Sequence, residues 1–295
     1  MTASKVFFTR EISPEKLIEM YKALNKPLHG KIGVKISTGE SAKSNYLRPE
    51  LIGPLVHYLN GTIIECCTAY GGSRQDVADH WKAIEERGFK NIAPVDIMDE
   101  FGEIEIPVHD GCHLDKDIVG EHLNNYDSVL ILSHFKGHMM GGFGGALKNI
   151  SIGIGSTHGK AYIHSAGTTT DPVKCWNPPT PQDDFLESMA DACKAVLAYV
   201  GAKNMLYISV ANRLSVDCDC HGNPHEPKMG DLGIFASTDP VALDQACYDA
   251  VINAHDCGKK ALIERMNSRH GIHTVETACE RHHLGVREYE IVSLD

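Results

Sequence analysis

The chain has 10 cysteines but no Cys-x-x-Cys pair, so neither a zinc ribbon nor a ferredoxin-type cluster run is written in it. No stretch approaches the roughly 20 apolar residues of a membrane span. The opening residues, Met1-Thr-Ala-Ser-Lys-Val-Phe-Phe8, lack the apolar centre of a secretory signal. Basic residues are the minority, 28 Lys and Arg against 39 Asp and Glu, for a formal charge of −11. That balance argues against nucleic acid or an anionic membrane as the main partner, since both need a basic face. Repeats, low-complexity segments, a nucleophile elbow and an HExxH zinc helix are also missing. The expectation left standing is a cytoplasmic globular protein. Free thiols in a reducing compartment fit it better than a disulfide framework.

At 295 residues, 42% apolar and 23% charged, the chain is long enough to bury a full core. Seventeen histidines exceed ordinary usage and raise the expectation of a metal site.

Strand-like and helix-like segments alternate. Lys5–Phe8, Lys31–Ile36, Thr62–Cys66, Asn91–Met98, Glu103–Val108, Asp127–Ser133, Asn204–Ala211 and Gly233–Ser237 read as strands. Ser13-Pro14-Glu15 supplies an N-cap, a proline at the first helical position and an acidic first turn for a helix to about Leu24. Further helices are expected over Pro49–Leu59, Gln75–Arg87, Asp183–Tyr199 and from Asp239-Pro240 to about Ala254. The four prolines between Thr170 and Pro181 mark an irregular connection. This alternation predicts an α/β protein with a largely parallel sheet flanked by helices. A single sheet and two Rossmann-like lobes (1–125 and 126–295) with the site between them both satisfy it.

The residues with most chemical potential follow the apolar run Ser128–Ser133. There the sequence reads Ser133-His-Phe-Lys-Gly-His-Met-Met-Gly-Gly-Phe-Gly-Gly-Ala-Leu-Lys148. His134, Lys136, His138 and Lys148 surround glycines, among them Gly142, Gly144 and Gly145, whose backbone N–H groups can converge on an anion. The spacing is neither a P-loop nor a dinucleotide fingerprint. A purely structural glycine turn is the competing reading.

A second cluster, Asp217-Cys218-Asp219-Cys220-His221, places two cysteines on one side of an extended segment and two carboxylates on the other. Either pair can ligate a metal, thiolates favouring a soft ion and carboxylates a hard one. Buried thiols beside a solvated acidic turn are the alternative. Lys35, Arg48 and Arg74 are candidate anion-binding groups, arginine being suited to bidentate carboxylate contacts. His109-Asp110-Gly111-Cys112-His113 looks metal-like by composition but reads as a solvated loop.

These stretches carry a family resemblance over nearly the whole chain. Lys35 with Asn45-Tyr-Leu-Arg-Pro49, Gly71-Gly-Ser-Arg74, Ser133–His138, Gly142–Asn149, Gly159-Lys160 to His164-Ser165, Asp217–Cys220, Ser237–Ala246 and Arg287–Glu290 resemble the iron–sulfur-centre proteins of domain-of-unknown-function family 362. Many relatives carry an inserted ferredoxin-like module where this chain has Ser165–Trp176. Here that connection is short and holds only Cys175, so a conventional 4Fe-4S cluster is not expected.

Gly142–Lys148 is also distantly similar to the glycine-rich stretch of the nickel-pincer lactate racemases. In those enzymes the lysine carries a covalent nickel cofactor, and a histidine about sixteen residues on ligates the metal. That offset from Lys148 lands on His164. The resemblances imply a metal- or cofactor-dependent enzyme acting on a small anion such as a hydroxy acid, an isomerase, racemase or oxidoreductase. They assign His134, His138 and Lys148 to catalysis. Lys35, Arg48, Arg74, Lys136, Gly142, Gly144, Gly145 and Asn149 fall to anion binding, and His164, Asp217, Cys218 and Cys220 to a metal ion (nickel, zinc or iron). A non-catalytic cofactor carrier working with a separate ferredoxin is the alternative.

Overall fold

The computed structural model describes residues 3–295. Its main sheet is built from β1 (Ser4–Thr9), β2 (Ile32–Lys35), β3 (Thr62–Glu65) and β4 (Val95–Ile97). The hairpin β5 (Glu103–Pro107) and β6 (Lys116–Gly120) stands apart from it, and β7 (Ser128–His134) returns to the centre. A second small hairpin, β8 (Lys136–His138) and β9 (Gly142–Gly144), follows directly. The sheet is completed by β10 (Met205–Ala211), β11 (Gly233–Ser237) and β12 (Tyr289–Ser293).

Strand order across the sheet is β12-β1-β11-β10-β7-β2-β3-β4. Every pairing is parallel except those of β11 with β1 and β10. β1 sits between β11 and β12, so strands from both halves of the chain share one sheet and residue 125 is not a boundary within it.

Alternation along the central strands builds a core on each face. Val129, Ile131, Met205 and Tyr207 turn to one side, Leu130, Leu132, Leu206 and Ile208 to the other, and all are buried. Helices α1 (Pro14–Ala23), α2 (Pro49–Tyr58) and α3 (Val77–Glu86) cover the second side. The first is covered by α4 (Ala146–Ile154), α6 (Gln182–Val200) and α7 (Pro240–Asn253), with α5 (Thr157–His164), α8 (Lys259–Ser268) and α9 (His273–Glu276) packed around them. Complete burial of a Leu or Ile side chain is worth about 1.5–3 kcal/mol, so the two layers hold the sheet from both sides.

The caps form as the sequence indicates. Ser13 Oγ accepts the Lys16 N–H at 3.3 Å, and Pro14 opens the helix. Asp239 Oδ1 accepts the N–H groups of Val241 and Ala242 at 2.9 and 3.0 Å.

Two expectations change. The strand expected over Asn91–Met98 shrinks to Val95–Ile97, because Pro94 has no N–H to give a ladder and Phe89–Asn91 forms a 3-10 turn. The segment 134–148 is not a loop but the β8–β9 hairpin running into α4.

The topology fixes where a site can lie. From β2 the chain moves outward through β3 and β4, then returns to β7 on the other side of β2 and moves outward again through β10. The carboxyl ends of β2 and β7 therefore flank a switch point, where open α/β sheets leave a crevice.

Candidate functional site

A cavity of about 490 Å³ occupies that crevice. Lys35 and Glu65 line it from the ends of β2 and β3, and Ser133 and His134 from the end of β7. The β8–β9 hairpin brings Lys136, His138 and Gly144, Gly145 follows as the N-cap of α4, α4 brings Lys148, Asn149 and Gly153, α5 brings Lys160 and His164, and the 218–220 turn closes a wall.

Five cationic side chains (Lys35, Arg74, Lys136, Lys148 and Lys160) and two carboxylates, Glu65 and Asp219, meet here. The carboxylates are already committed. Glu65 accepts from Arg74 at 2.6 Å, His80 at 3.2 Å and Thr38 Oγ1 at 2.5 Å. Burial alone would raise its pKa, but Arg74 and His80 outweigh that and hold it below the ordinary carboxylate range. Asp219 accepts from Lys136 at 2.9 Å and faces His134 Nδ1 at 2.9 Å. Here too burial pushes up, and His134 and Lys136 bring the value down.

The lysines differ in what occupies them. Lys35 Nζ donates to its neighbour's carbonyl, Ile36 O, at 2.5 Å, and Lys160 Nζ donates to Gly155 O. Among the described residues, Lys148 Nζ bonds no acceptor. Burial lowers Lys148 to about 7, with Lys136 and Lys35 adding repulsion, and burial lowers Lys35 to about 8. The glycines make room for these side chains: a Cβ on Gly153 would lie 3.1 Å from Lys35 Nζ.

The histidines divide by tautomer. His134 is closed on both sides, with Nδ1 at Asp219 and Nε2 at the Asn212 carbonyl, 2.6 Å away. It therefore holds the wall together and offers no free nitrogen to a ligand. His138 Nδ1 accepts the backbone N–H groups of Gly141 and Met140 at 2.8 and 3.2 Å, so in the neutral ring Nε2 carries the hydrogen. His164 is the reverse. Its Nδ1–H donates to the Lys160 carbonyl at 2.7 Å, which leaves the Nε2 lone pair free, the arrangement usual in metal-binding histidines. Phe185 stacks on the His164 ring and Trp176 lies tilted against it, with centroids 4.9 Å away in each case. Burial lowers His164 to about 4 and holds His138 well below its ordinary value.

The 218–220 turn is joined by a Cys218–Cys220 disulfide, the Cα atoms 5.2 Å apart, and the other eight cysteines are free. A ring nitrogen of His138 and the two sulfurs all lie within 4.8 Å of one another.

Most residues expected at the site from sequence meet in this cavity: Lys35, Arg74, His134, Lys136, His138, Gly144, Gly145, Lys148, Asn149, His164, Cys218 and Cys220. Three lie elsewhere. Arg48 stacks on the Tyr46 ring at 4.0 Å and donates to Ser44 O at 3.0 Å. Gly142, at φ +76°, is packed so closely on Gly271 that a Cβ would come within 2.7 Å of its Cα. Asp217 turns away to His225, 2.6 Å from its carboxylate, and to Arg265.

The glycine amides also have internal partners. Gly142 and Gly144 pair in the hairpin, and the amides of Ala146 and Leu147 donate to Asp244 at 2.7 and 2.9 Å. Positive charge in the cavity comes from side chains, not from converging amides.

Glu65, Lys160 and Trp176 also line the cavity and Asp244 holds the start of α4, and the sequence reading assigns none of them to the site. The first two had a readable signal: Glu65 ends an apolar strand, and Lys160 precedes His164 by one helical turn. Asp244 reaches α4 from 98 residues away, a contact with no local sequence signature.

No helix among the described residues is long and apolar enough to cross a membrane. Comparison with curated proteins finds no match. Among solved structures, the chain is similar to the lactate racemase apoprotein of Thermoanaerobacterium thermosaccharolyticum at 13% identity and a TM-score of 0.46, over 84% of this chain and 57% of that one. It is also similar to a Thermotoga maritima protein at 12% identity and a TM-score of 0.44, over 82% of this chain and 60% of that one. The chain thus spans less than two thirds of either. The profile described as "Domain of unknown function (DUF362)" matches residues 32–249, and the chain belongs to that family.

Proposed function

We propose that the protein is a metal- or cofactor-dependent enzyme acting on a small anion such as a hydroxy acid in the cavity between β2 and β7. The observation that carries this reading is Lys148, a half-buried lysine without an acceptor, lowered to about 7 beside four other cationic side chains. Lys35 and Lys160 are satisfied by carbonyls, whereas a half-buried amine left unpaired and close to neutral is suited to taking a proton.

Lys35 and Lys136 would hold the substrate carboxylate. Lys148 in its neutral form would take the hydroxyl proton, and the His138 Nε2–H would hydrogen-bond the oxygen as charge develops there. His164 Nε2 would offer a metal one free lone pair, while the sulfurs of Cys218 and Cys220 group with His138 rather than with His164 and would ligate only as thiolates, which requires reduction of their bond. The bound metal or cofactor would supply an electrophile, which these side chains lack.

The test is an NMR assay of stereochemical inversion, with retention of the α-hydrogen in deuterated solvent, over a panel of 2-hydroxy acids. Reduced protein is used, supplied with nickel, zinc or iron. Turnover lost in Lys148→Ala and reduced at least about 100-fold in His138→Ala supports the reading, the scale expected for a lost general base or oxyanion donor. Metal or anion binding with no turnover on any acid rejects catalysis and favours a carrier.

A further inference from the structure

The one disulfide among the described residues lies in the cavity wall. Cys66 and Cys67 are adjacent in sequence and stay free, so closeness along the chain does not by itself join cysteines here. The buried thiols Cys66, Cys193 and Cys247 are pushed up by burial. Such thiols are inert.

The surroundings of Cys218 and Cys220 are different. The turn is pinned by contacts that do not involve the S–S bond. Asp219, between the cysteines, is held by His134 and Lys136, and its carbonyl accepts the Glu40 N–H at 2.8 Å. The Cys218 carbonyl accepts the His221 N–H at 3.0 Å, and the Cys220 N–H donates to Cys218 Sγ at 3.3 Å. Breaking the S–S bond leaves the contacts of Asp219 and of the Cys218 carbonyl in place. Cys218 is 3% exposed, and Cys220 is the more open of the two.

By distance alone, His138 and the two sulfurs would fit a metal. The hydrogen bonding argues otherwise. His138 Nδ1 is taken by two amides, so the neutral ring has no free lone pair and one N–H to donate. A ring nitrogen of His138 lies within 4.8 Å of both sulfurs, and Lys136 and Lys148 line the same cavity; an N–H donor and cations at that range stabilise a leaving thiolate once the sulfurs separate.

We propose that Cys218 and Cys220 form a reversible two-electron dithiol–disulfide couple facing the anion cavity, that its reaction partner is a dithiol or disulfide, and that His138 is a positioning hydrogen-bond donor to it. In the reducing direction a partner thiolate attacks the Cys220 sulfur. A partner–Cys220 bond forms, the Cys218–Cys220 bond breaks, and Cys218 leaves as a thiolate held by the Cys220 N–H. The second partner thiolate then attacks the partner's own sulfur in the mixed disulfide and releases Cys220. The partner is oxidised to its disulfide, the pair gains two electrons, and the two protons lost by the partner thiols balance those taken up by the cysteines. This couple does not depend on the enzymatic reading of the cavity.

The full-length protein is equilibrated in glutathione buffers of stepped reduced-to-oxidised ratio, quenched with acid, alkylated and read by peptide mass spectrometry. The segment holding Cys218 and Cys220 should change by two alkyl groups in one transition, while Cys66, Cys193 and Cys247 stay thiols throughout. Cys218→Ser should collect a glutathione adduct at Cys220. Cys220→Ser, left with the buried cysteine, should collect about tenfold less, because access controls exchange. His138→Gln should keep the same end states or nearly so, and His138→Ala should slow reduction by dithiothreitol about tenfold, the loss expected for one hydrogen bond in the transition state. A pair that never changes state across the series, or equal adducts on both serine variants, overturns the proposal. Because bond state is what is read, either result leaves the anion-binding reading untouched.

Discussion

His138 and His164 line one cavity with opposite tautomers, His138 Nδ1 accepting the Gly141 N–H at 2.8 Å and His164 Nδ1–H donating to the Lys160 carbonyl at 2.7 Å. One ring therefore offers the cavity a hydrogen and the other a lone pair. Nitrogen-15 NMR of labelled imidazoles at pH 6 to 8 should show His138 protonated at Nε2 and His164 at Nδ1, both neutral. An Nδ1–H signal from His138 would contradict the assignment.

Anion affinity should rise as pH falls through about 7, where Lys148 gains its charge. Trp176 borders the cavity and is one of two tryptophans, so its fluorescence reports occupancy by a probe such as oxalate. Lys148→Met should bind oxalate at least about tenfold more weakly at pH 6 and lose most of the pH dependence. An unchanged profile in the variant would place the responsible charge elsewhere.

The same lysine makes a prediction about folding. Its pKa is lowered on folding, so the unfolded chain binds more protons between about 7 and the ordinary lysine value near 10.4. Stability from this group therefore climbs with pH across that window, and its penalty is complete below pH 7. Lys148→Met should stabilise the protein by a few kcal/mol at pH 6, on the order of 3. The gain should shrink toward pH 10. Urea denaturation at the two pH values measures it, and a gain that grows with pH would show the sign to be wrong.

Glu65→Gln should destabilise by about 3–5 kcal/mol, because it leaves the buried Arg74 guanidinium short of its closest counter-charge. Glu65 and Asp219 both have folded pKa values below the ordinary range, so their contribution is present above pH ~4.3 and is lost only as pH falls through the folded values. Asp219→Asn should accordingly flatten the acid limb of the stability curve. An acid limb unchanged in that variant would mean that other carboxylates dominate it.

Asp244→Ala should loosen α4 while leaving the sheet intact. The Asp244 carboxylate satisfies the first amides of the helix that carries Lys148 and Asn149. Its loss should cost about 1–3 kcal/mol for donors left buried and unpaired. Hydrogen exchange should accelerate at Ala146 and Leu147 ahead of β7. Uniform acceleration across both would argue for global destabilisation instead.

Much of the fold was legible because its signals are local. Continuous apolar runs mark β7 and β10, Ser13-Pro14 and Asp239-Pro240 mark helix starts, and prolines mark the irregular connection at 170–181. The site was legible in part for the same reason: Lys136, His138 and Lys148 follow a strand end within fifteen residues. What sequence could not show is who holds whom. His134 looks as reactive as His138 in the primary structure, yet Asp219 and Asn212 close both its nitrogens. The glycines look like an anion cradle, yet a hairpin ladder takes the amides of Gly142 and Gly144, and Asp244 takes those of Ala146 and Leu147 just beyond them. Arg48 and Asp217 carry the right charges and find partners outside the cavity. These outcomes depend on contacts across tens of residues, which composition and spacing do not encode.

The switch point between β2 and β7 also bears on folding order. These strands are hydrogen-bonded neighbours, yet almost a hundred residues separate them along the chain, and the cavity's walls draw on segments from Lys35 to Cys220. Long loops must close before the central parallel pairing forms, which slows folding of such topologies. No contiguous fragment shorter than that span can assemble the cavity. Ligand binding should therefore appear only with the last cooperative step of refolding, and a nick that separates the two halves should abolish binding before it abolishes helix content.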